Sequence, residues 1–194
     1  MKYTRGNGFL ELFLTKQRTN ITNDLIKDKY RAGRILDIGC GRKPYFLLTT
    51  EFKEKYGIDC NVIGKNISTI NITNTILGRN TKFNFEDNFF DVVTMMATIE
   101  HLEKESALCI LKETYRILKL GGRLIITTPT PLAHQILTIM AKLNLVSKEE
   151  IKEHKQIYTR NTITALLRAA GYAEEKIHIK YFEFYLNLCV YLDR

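Results

Sequence analysis

The sequence predicts an α/β fold: a doubly wound, mostly parallel sheet with helices on both faces. Short apolar runs alternate with amphipathic segments from Arg34 to about residue 172, a pattern typical of parallel strands joined by helices. Two further apolar runs, 176–184 and 186–193, follow one another almost directly and predict an antiparallel hairpin. With 194 residues, of which 45% are hydrophobic, the chain is long enough to bury one substantial core.

Seven apolar runs of strand length carry the prediction of the sheet. The five parallel candidates are residues 35–39, 55–59, 66–72, 90–97 and 123–131, and the hairpin adds the other two. The first is a short buried run, whereas the third alternates apolar and polar residues. Because only residues 60–65 separate the second strand from the third, we expect an abbreviated crossover between them.

The predicted helices share an amphipathic spacing of apolar residues, and they comprise residues 9–31, 44–55, 106–119, 132–158 and 161–172. The polar stretch RTNITND (18–24) is expected to break the first helix in two. Pro44 lies in the first turn of the second helix, where proline is tolerated. The glycine pair at 121–122 is expected to end the third helix, and Thr159 or Asn161 is expected to cap the last.

The first predicted strand runs into DIGCGRKP, an incomplete glycine motif. Gly39 and Gly41 allow close approach of a ligand, but Pro44 stands where a dinucleotide site requires a third small residue. Asp37 would repel a pyrophosphate, and it suits a ligand that carries an ammonium group. Asp59, 22 residues farther on, can accept hydrogen bonds from both hydroxyls of a ribose. These features favour S-adenosylmethionine (SAM) over NAD.

In their order and approximate spacing, six segments resemble the class I SAM-dependent methyltransferases of the small-molecule type. The segments are ILDIGCG (35–41), YGID (56–59), FEDNFFDVV (85–93), TIEHL (98–102), ILKLGGRLIITTP (117–129) and LLRAAGY (166–172). The resemblance covers about residues 30–194 and implies a Rossmann-like, seven-stranded sheet with the strand order 3-2-1-4-5-7-6. It also implies an enzyme that uses SAM, with S-adenosylhomocysteine as the product, and transfers methyl by in-line displacement.

The resemblance further implies where the cofactor binds. The candidate cofactor-binding residues are Asp37, Gly39, Cys40, Gly41, Asp59, Cys60, Asn71, Ile72, Met95 and Ala97. Asn71 stands where the family often has an aspartate that meets the adenine amino group, and Lys43 replaces the third glycine of the family.

Methyl transfer to a hydroxyl or acid can use a proton acceptor, and histidine suits that role near neutral pH. The two candidates are His101, which follows the fourth strand, and His154, which precedes the last helix. Glu100 and His101 are similar to a stretch that holds a divalent metal in ubiquinone-type O-methyltransferases. Because Ala97 replaces the earlier acid of that stretch, we predict no metal.

The whole chain, 1–194, is predicted to be one methyltransferase domain, with a helical cap at 1–33 and a lid at 131–158. These two segments are expected to shape the acceptor site. The absence of known nucleic-acid motifs predicts transfer to an oxygen or nitrogen of a small-molecule or glycan-like acceptor. Two alternatives stay open: an RNA methyltransferase that uses a basic surface, and a cofactor-binding protein without catalysis.

The net charge of +8 suits an anionic acceptor and also a weak association with a membrane surface. Nucleic acid is not an expected partner, because no basic run is interleaved with aromatic residues. No apolar run reaches the length of a membrane span. The four cysteines are scattered, and we expect a cytoplasmic location.

Overall fold

The computed structural model describes residues 9–60, 69–142 and 155–194. Seven strands form one sheet: β1 (Arg34–Ile38), β2 (Glu54–Asp59), β3 (Ile70–Asn74), β4 (Phe90–Met96), β5 (Leu118–Pro129), β6 (His178–Phe182) and β7 (Asn187–Asp193). Their order across the sheet is β3-β2-β1-β4-β5-β7-β6. Strands β1 to β5 are parallel, and β7 is antiparallel to both β5 and β6. The predicted α/β fold and strand order are therefore confirmed.

Five helices accompany the sheet: α1 (Phe9–Leu25), α2 (Tyr45–Thr49), α3 (Lys104–Ile117), α4 (Pro131–Lys142) and α5 (Arg160–Ala169). Successive strand residues point to opposite faces of the sheet, so each strand supplies two cores. In β1, Leu36 belongs to the apolar cluster packed against α3 and α5, whereas Ile35 belongs to the cluster beside α1 and α2. Helices thus cover both faces and leave the strand ends as the place for a site.

Helix α1 is continuous through residues 18–24, so the expected break is wrong. Two threonines of this stretch, Thr19 and Thr22, are buried. The Thr22 hydroxyl donates to Met96 Sδ at 3.4 Å, at the end of β4. Packing against the sheet overrides the weak helix propensity of the threonine and asparagine residues.

The C-terminal end of α1 is fixed by Arg123, which lies in β5 and is almost fully buried. Its Nη1 donates to the Leu25 carbonyl at 2.6 Å, and its Nε and Nη2 bind the two Asp193 oxygens at 2.6 and 2.9 Å. Leu25 lies beside Arg123, early in β5, whereas Thr22 lies beside Met96, at the end of β4. Going back along α1, the helix therefore runs towards the carboxyl ends of β4 and β5.

Helix α2 is much shorter than the predicted helix 44–55. It ends at Thr49, because Thr50 is extended at a ψ of 151°. The Thr50 hydroxyl donates to Asn23 Oδ1 at 2.7 Å, which fixes the chain as it turns towards β2. A part-buried polar contact with α1 therefore accompanies the end of α2.

The predicted helix 132–158 is correct only in its first part. Helix α4 occupies Pro131–Lys142, residues 143–154 lie outside the described part of the chain, and 155–159 are not helical. Thr159, one of the two residues expected to cap the last helix, is the N-cap of α5. Its hydroxyl accepts from the Thr162 N–H at 3.2 Å, and the Thr162 hydroxyl accepts from the Thr159 N–H at 2.8 Å.

The glycine pair at 121–122 does not end α3, contrary to expectation. Helix α3 ends at Ile117, and Leu118 is already paired with Phe90 of β4. The next residue of β4 that pairs is Val92, opposite Arg123, so residues 119–122 form a bulge. Both glycines lie in this bulge, where Gly121 adopts a left-handed conformation with a φ of +73°.

The hairpin of β6 and β7 is confirmed, but residues 183–186 connect its strands instead of one or two residues. Glu183, Phe184 and Tyr185 have φ values of +50°, +53° and +66°. Three consecutive non-glycine residues in the left-handed region are unfavourable, by about 1–2 kcal/mol each. The Thr130 hydroxyl lies 2.9 Å from the Tyr185 carbonyl and helps to hold this turn.

Candidate active site

The loop after β1 folds back onto the end of β2. The N–H groups of Gly39 and Cys40 donate to the Ile58 carbonyl at 2.7 and 3.2 Å. The Gly41 N–H donates to Asp59 Oδ2 at 2.8 Å. The glycine loop and Asp59, which the sequence placed in one site, are therefore brought together by direct hydrogen bonds.

Gly39 occupies a position that no other residue fits. Its φ is +80°, and an added Cβ would lie 2.2 Å from the Oγ1 atom of Thr98. Thr98 follows β4, so the glycine allows the first and fourth strand ends to approach each other closely. This contact joins the two loops that border the carboxyl edge of the sheet.

Asp37 is buried in the middle of the sheet, with 3% of its surface exposed. The Thr94 hydroxyl donates to its Oδ1 at 2.7 Å. Burial, with a smaller contribution from the nearby charge of Asp59, raises the pKa of Asp37 to about 7, against the hydrogen bond from Thr94. Among the described residues, no cationic side chain contributes to this shift of the pKa.

The burial of Asp37 predicts a pH dependence of folding. Unfolded Asp37 ionises near pH 3.8, whereas the folded carboxyl group keeps its proton up to about pH 7. Its contribution to the free energy of unfolding is therefore expected to fall as pH rises from 4 to 7, by the order of 4 kcal/mol. Urea denaturation of the ligand-free protein at several pH values measures this effect.

The control for this pH dependence is Asp37→Asn, which keeps the shape and cannot ionise. Its free energy of unfolding is expected to exceed that of the wild type increasingly as the pH rises to 7. A constant difference between the two proteins across this range would contradict the prediction.

The register of β3 corrects the expected placement of Asn71. Asn71 pairs with Tyr56, early in β2. Asn74 instead pairs with Asp59 at the carboxyl end. The predicted strand ended at residue 72, two residues before Asn74, so Asn71 does not lie at the carboxyl end; its contact with adenine stays a prediction. Ile72 is buried in the core beside α2.

The remaining cofactor candidates differ in exposure. Ala97 follows β4 in a left-handed conformation, with a φ of +49°, and its N–H donates to the Thr127 carbonyl at 2.9 Å. Met95 is fully buried in the core beside α3, and Cys40 is buried on the opposite face. Cys60 is exposed directly after Asp59. Of these, Ala97 and Cys60 lie at the carboxyl edge of the sheet.

Of the two histidine candidates, His101 lies at the edge of the candidate site. It ends a short 3-10 helix, Ile99–His101, after β4, and it is half-buried. Its N–H donates to the Thr98 carbonyl at 3.1 Å. His154 lies outside the described residues.

Glu100 is a residue whose importance the sequence analysis missed. Only 1% of its surface is exposed, and Thr128 at the end of β5 donates to its Oε2 at 3.1 Å. Its carbonyl accepts the N–H groups of Lys155 and Gln156 at 2.9 and 3.0 Å. Burial raises the pKa of Glu100, against the charges of His101 and Arg18. The sequence offered one signal for this residue, an acid directly after Ile99 in the segment TIEHL.

A family model described as a methyltransferase domain matches residues 10–176 of this chain. No curated protein matches the chain significantly. A SAM-dependent methyltransferase from Archaeoglobus fulgidus is similar in structure, at 18% identity and a TM-score of 0.70, over 98% of this chain and 97% of that chain.

Two further solved structures are similar. A SAM-dependent methyltransferase from Thermotoga maritima, described as a possible histamine N-methyltransferase, is 16% identical at a TM-score of 0.66, over 95% of this chain and 90% of that one. A SAM-dependent methyltransferase from Mesorhizobium loti is 16% identical at a TM-score of 0.64, over 90% of this chain and 96% of that one. At these identities the structures show a shared fold.

Proposed function

We propose that this chain, which belongs to the class I SAM-dependent methyltransferases, transfers a methyl group to an oxygen or nitrogen of a small-molecule or glycan-like acceptor. Membership of the family implies SAM as the methyl donor. The observation that carries the proposal is the hydrogen-bonded unit of the glycine loop and Asp59, with the buried carboxyl group of Asp37 behind it.

The residues at the carboxyl edge fit the cofactor in charge and in space. Asp37 lacks a protein countercharge among the described residues and suits the ammonium group of the methionine part. Gly39 and Gly41 keep the loop open to close approach, and Asp59 has a second carboxylate oxygen, Oδ1, that can accept from a ribose hydroxyl. Asn74, beside Asp59 in register, is a better candidate for the adenine amino group than Asn71.

The bound cofactor supplies a methyl group that is already activated by its sulfonium. The chain has to orient an acceptor against that methyl group and exclude water. His101 is half-buried beside the end of β4, and we retain it as the candidate that takes a proton from the acceptor. The same role for His154 stays a prediction.

Two helices border the remaining part of the strand ends. Helix α1 belongs to the predicted cap 1–33, and its Thr22 contacts the end of β4. Helix α4 belongs to the predicted lid 131–158 and begins two residues after β5. Their positions support the proposal that both segments shape the acceptor site within a single domain, 1–194.

Calorimetric titration with SAM and S-adenosylhomocysteine tests the proposal. We expect both to bind in the micromolar range and NAD not to bind. A panel of hydroxyl, amine and carboxyl acceptors with labelled SAM then tests methyl transfer. Absence of binding to either SAM or its product would overturn the proposal, and cofactor binding with salt-sensitive retention of RNA would support the RNA alternative.

The described part of the chain contains no helix that is long and apolar enough to cross a membrane. A cytoplasmic location and a weak contact with membrane surfaces stay predictions. Among residues 9–60, 69–142 and 155–194, no group of three or more histidine, cysteine or acidic side chains is arranged to hold a metal ion.

A further inference from the structure

The hairpin turn between β6 and β7 borders an open groove of about 420 Å³. The described residues that line it are Lys180, Tyr181 and Phe182 at the end of β6, and Phe184 and Tyr185 in the turn. Its volume lies within the range of small-ligand sites, roughly 300–1,000 Å³. None of these five residues belongs to the candidate cofactor site.

The groove lies at the same edge of the sheet as the candidate active site. Asn187, the first residue of β7, pairs with both Phe182 and Pro129, so the turn stands beside the carboxyl end of β5. In the order of the sheet, β6 is three strands from β4. At about 4.8 Å per strand, the groove lies roughly 14 Å from the end of β4. A molecule that reaches both places is elongated and contains more than one ring.

Exposed aromatic rings form the walls of the groove. Phe184 is 94% exposed, Tyr185 68% and Tyr181 42%. The ring centroids of Tyr181 and Tyr185 lie 5.3 Å apart, and the rings are tilted by 43°. Contiguous exposed apolar surface marks sites of interaction, and a tyrosine ring combines an apolar face with a polar hydroxyl. Such walls suit a sugar ring, which is apolar on its faces and hydroxylated at its rim.

The turn holds these rings in a defined place. Glu183, Phe184 and Tyr185 all have left-handed backbone conformations, which persist where the surroundings impose them and are frequent at binding sites. Thr130 binds the turn: its N–H donates to the Leu186 carbonyl at 2.8 Å, and its hydroxyl donates to the Tyr185 carbonyl at 2.9 Å. The aromatic walls are thus attached to the residue that joins β5 to α4.

The charge of the groove favours an anionic ligand. Among the described residues that line it, Lys180 alone carries a charge. Its ammonium group lies 5.4 Å from the centre of the Tyr191 ring, and no acid of the described residues forms an ion pair with it. The carboxyl group of Glu183, in the same turn, is bound to Asn187. An acidic group is therefore attracted to the groove, whereas an amine is repelled.

We propose that this groove is a distal subsite that binds an acidic sugar unit of an elongated glycan acceptor. The sugar ring stacks on Tyr181 and Tyr185, and its acidic group pairs with Lys180. A concave groove with two tyrosine hydroxyls suits a sugar ring better than the apolar surface of a membrane. This inference rests on the proposed function, and it narrows the acceptor to an acidic oligosaccharide.

Ligand-detected NMR titration of the full chain, saturated with S-adenosylhomocysteine, tests the subsite. The probes are trigalacturonate, its uncharged methyl ester, and benzoate, an acid without a sugar ring. We expect trigalacturonate to bind about fivefold more tightly than either of the others, the most that one exposed ion pair contributes. Equal or weaker binding of trigalacturonate would overturn the proposal.

Two variants separate the charge from the rings. Lys180→Gln is expected to bind the acid and its ester equally, because the ammonium group is gone. Tyr185→Asn removes one ring at a position where asparagine tolerates the left-handed backbone. It is expected to weaken the binding of both sugar probes about fivefold. Unchanged binding in both variants would contradict the proposal.

The matched controls are Lys176→Gln, which removes an exposed cation ahead of β6, and Leu120→Ala, which removes an exposed apolar side chain at the opposite edge of the sheet. Both are expected to keep wild-type binding. Affinity for S-adenosylhomocysteine shows that each variant is folded. If the wild type does not bind this product, the proposed function fails; if it binds the product without preferring trigalacturonate, only the subsite fails.

Flotation with phosphatidylglycerol vesicles distinguishes the sugar from a membrane surface. Phe184, the most exposed ring of the groove, would enter a bilayer first. We expect Phe184→Asn to leave any retention on the vesicles unchanged. Vesicle binding that this variant abolishes would assign the aromatic walls to a membrane and overturn the proposal.

Discussion

Gly39→Ala is expected to remove a large share of the folding stability. The substitution places a Cβ 2.2 Å from Thr98 Oγ1 and 2.5 Å from its Cγ2, in a backbone conformation with a φ of +80°. The left-handed strain contributes about 1–2 kcal/mol, and displacement of the packed threonine adds about 1–3 kcal/mol. Together they approach the total stability of a marginal domain. Urea denaturation measures the loss.

Two variants separate strain from collision. Gly121 has a similar φ of +73°, but nothing lies within 4 Å of its added Cβ. Gly121→Ala is therefore expected to lose only the strain contribution. In Gly39→Ala/Thr98→Gly, the side chain that collides is gone, and the Cβ added at position 39 is expected to destabilise the protein less. Equal losses for Gly39→Ala and Gly121→Ala would show that the contact with Thr98 is unimportant.

Asp59→Ala is expected to weaken cofactor binding by about 100-fold or more. The substitution removes both carboxylate oxygens, and each charge-assisted hydrogen bond contributes about 1.5–3 kcal/mol. It also leaves the Gly41 N–H without the partner that it has at 2.8 Å. Calorimetric titration with S-adenosylhomocysteine measures the affinity, and circular dichroism verifies the fold.

Two further substitutions control this experiment. Asp59→Asn keeps an oxygen for the Gly41 N–H and replaces the second acceptor with a donor, so an intermediate loss of affinity is expected. Asp28→Asn changes a fully exposed acid, and its affinity should equal that of the wild type. If Asp59→Ala binds the product as tightly as Asp28→Asn, then Asp59 is not a ligand of the ribose.

The sequence predicts the sheet and the glycine loop of the candidate site because both depend on local patterns. The alternation of apolar and amphipathic runs determines a parallel sheet, and the sequence of Asp37, Gly39 and Gly41 marks the loop after its first strand. Asn71 was misplaced because no pattern marks the end of a short edge strand. Only its pairing with β2 shows that the strand continues to Asn74.

The surroundings of Glu100 escaped the sequence analysis because tertiary structure assembles them. Glu100 contacts Thr128 and the N–H groups of Lys155 and Gln156, which are distant in the chain, and no local motif connects them. The continuity of α1 escaped it for a similar reason, because Thr19 and Thr22 of the expected break are buried against other parts of the protein.

The bulge at residues 119–122 determines where the chain tolerates a change of length. A one-residue insertion within β5 after Arg123 would turn every later side chain to the opposite face, and Thr128 would leave Glu100. An insertion in the bulge need not alter the pairing of Arg123 with Val92, because its four residues face only Asp91 on β4. Leu120, at the tip, is 79% exposed. A change of chain length in the bulge therefore need not change which face of the sheet the later side chains of β5 occupy.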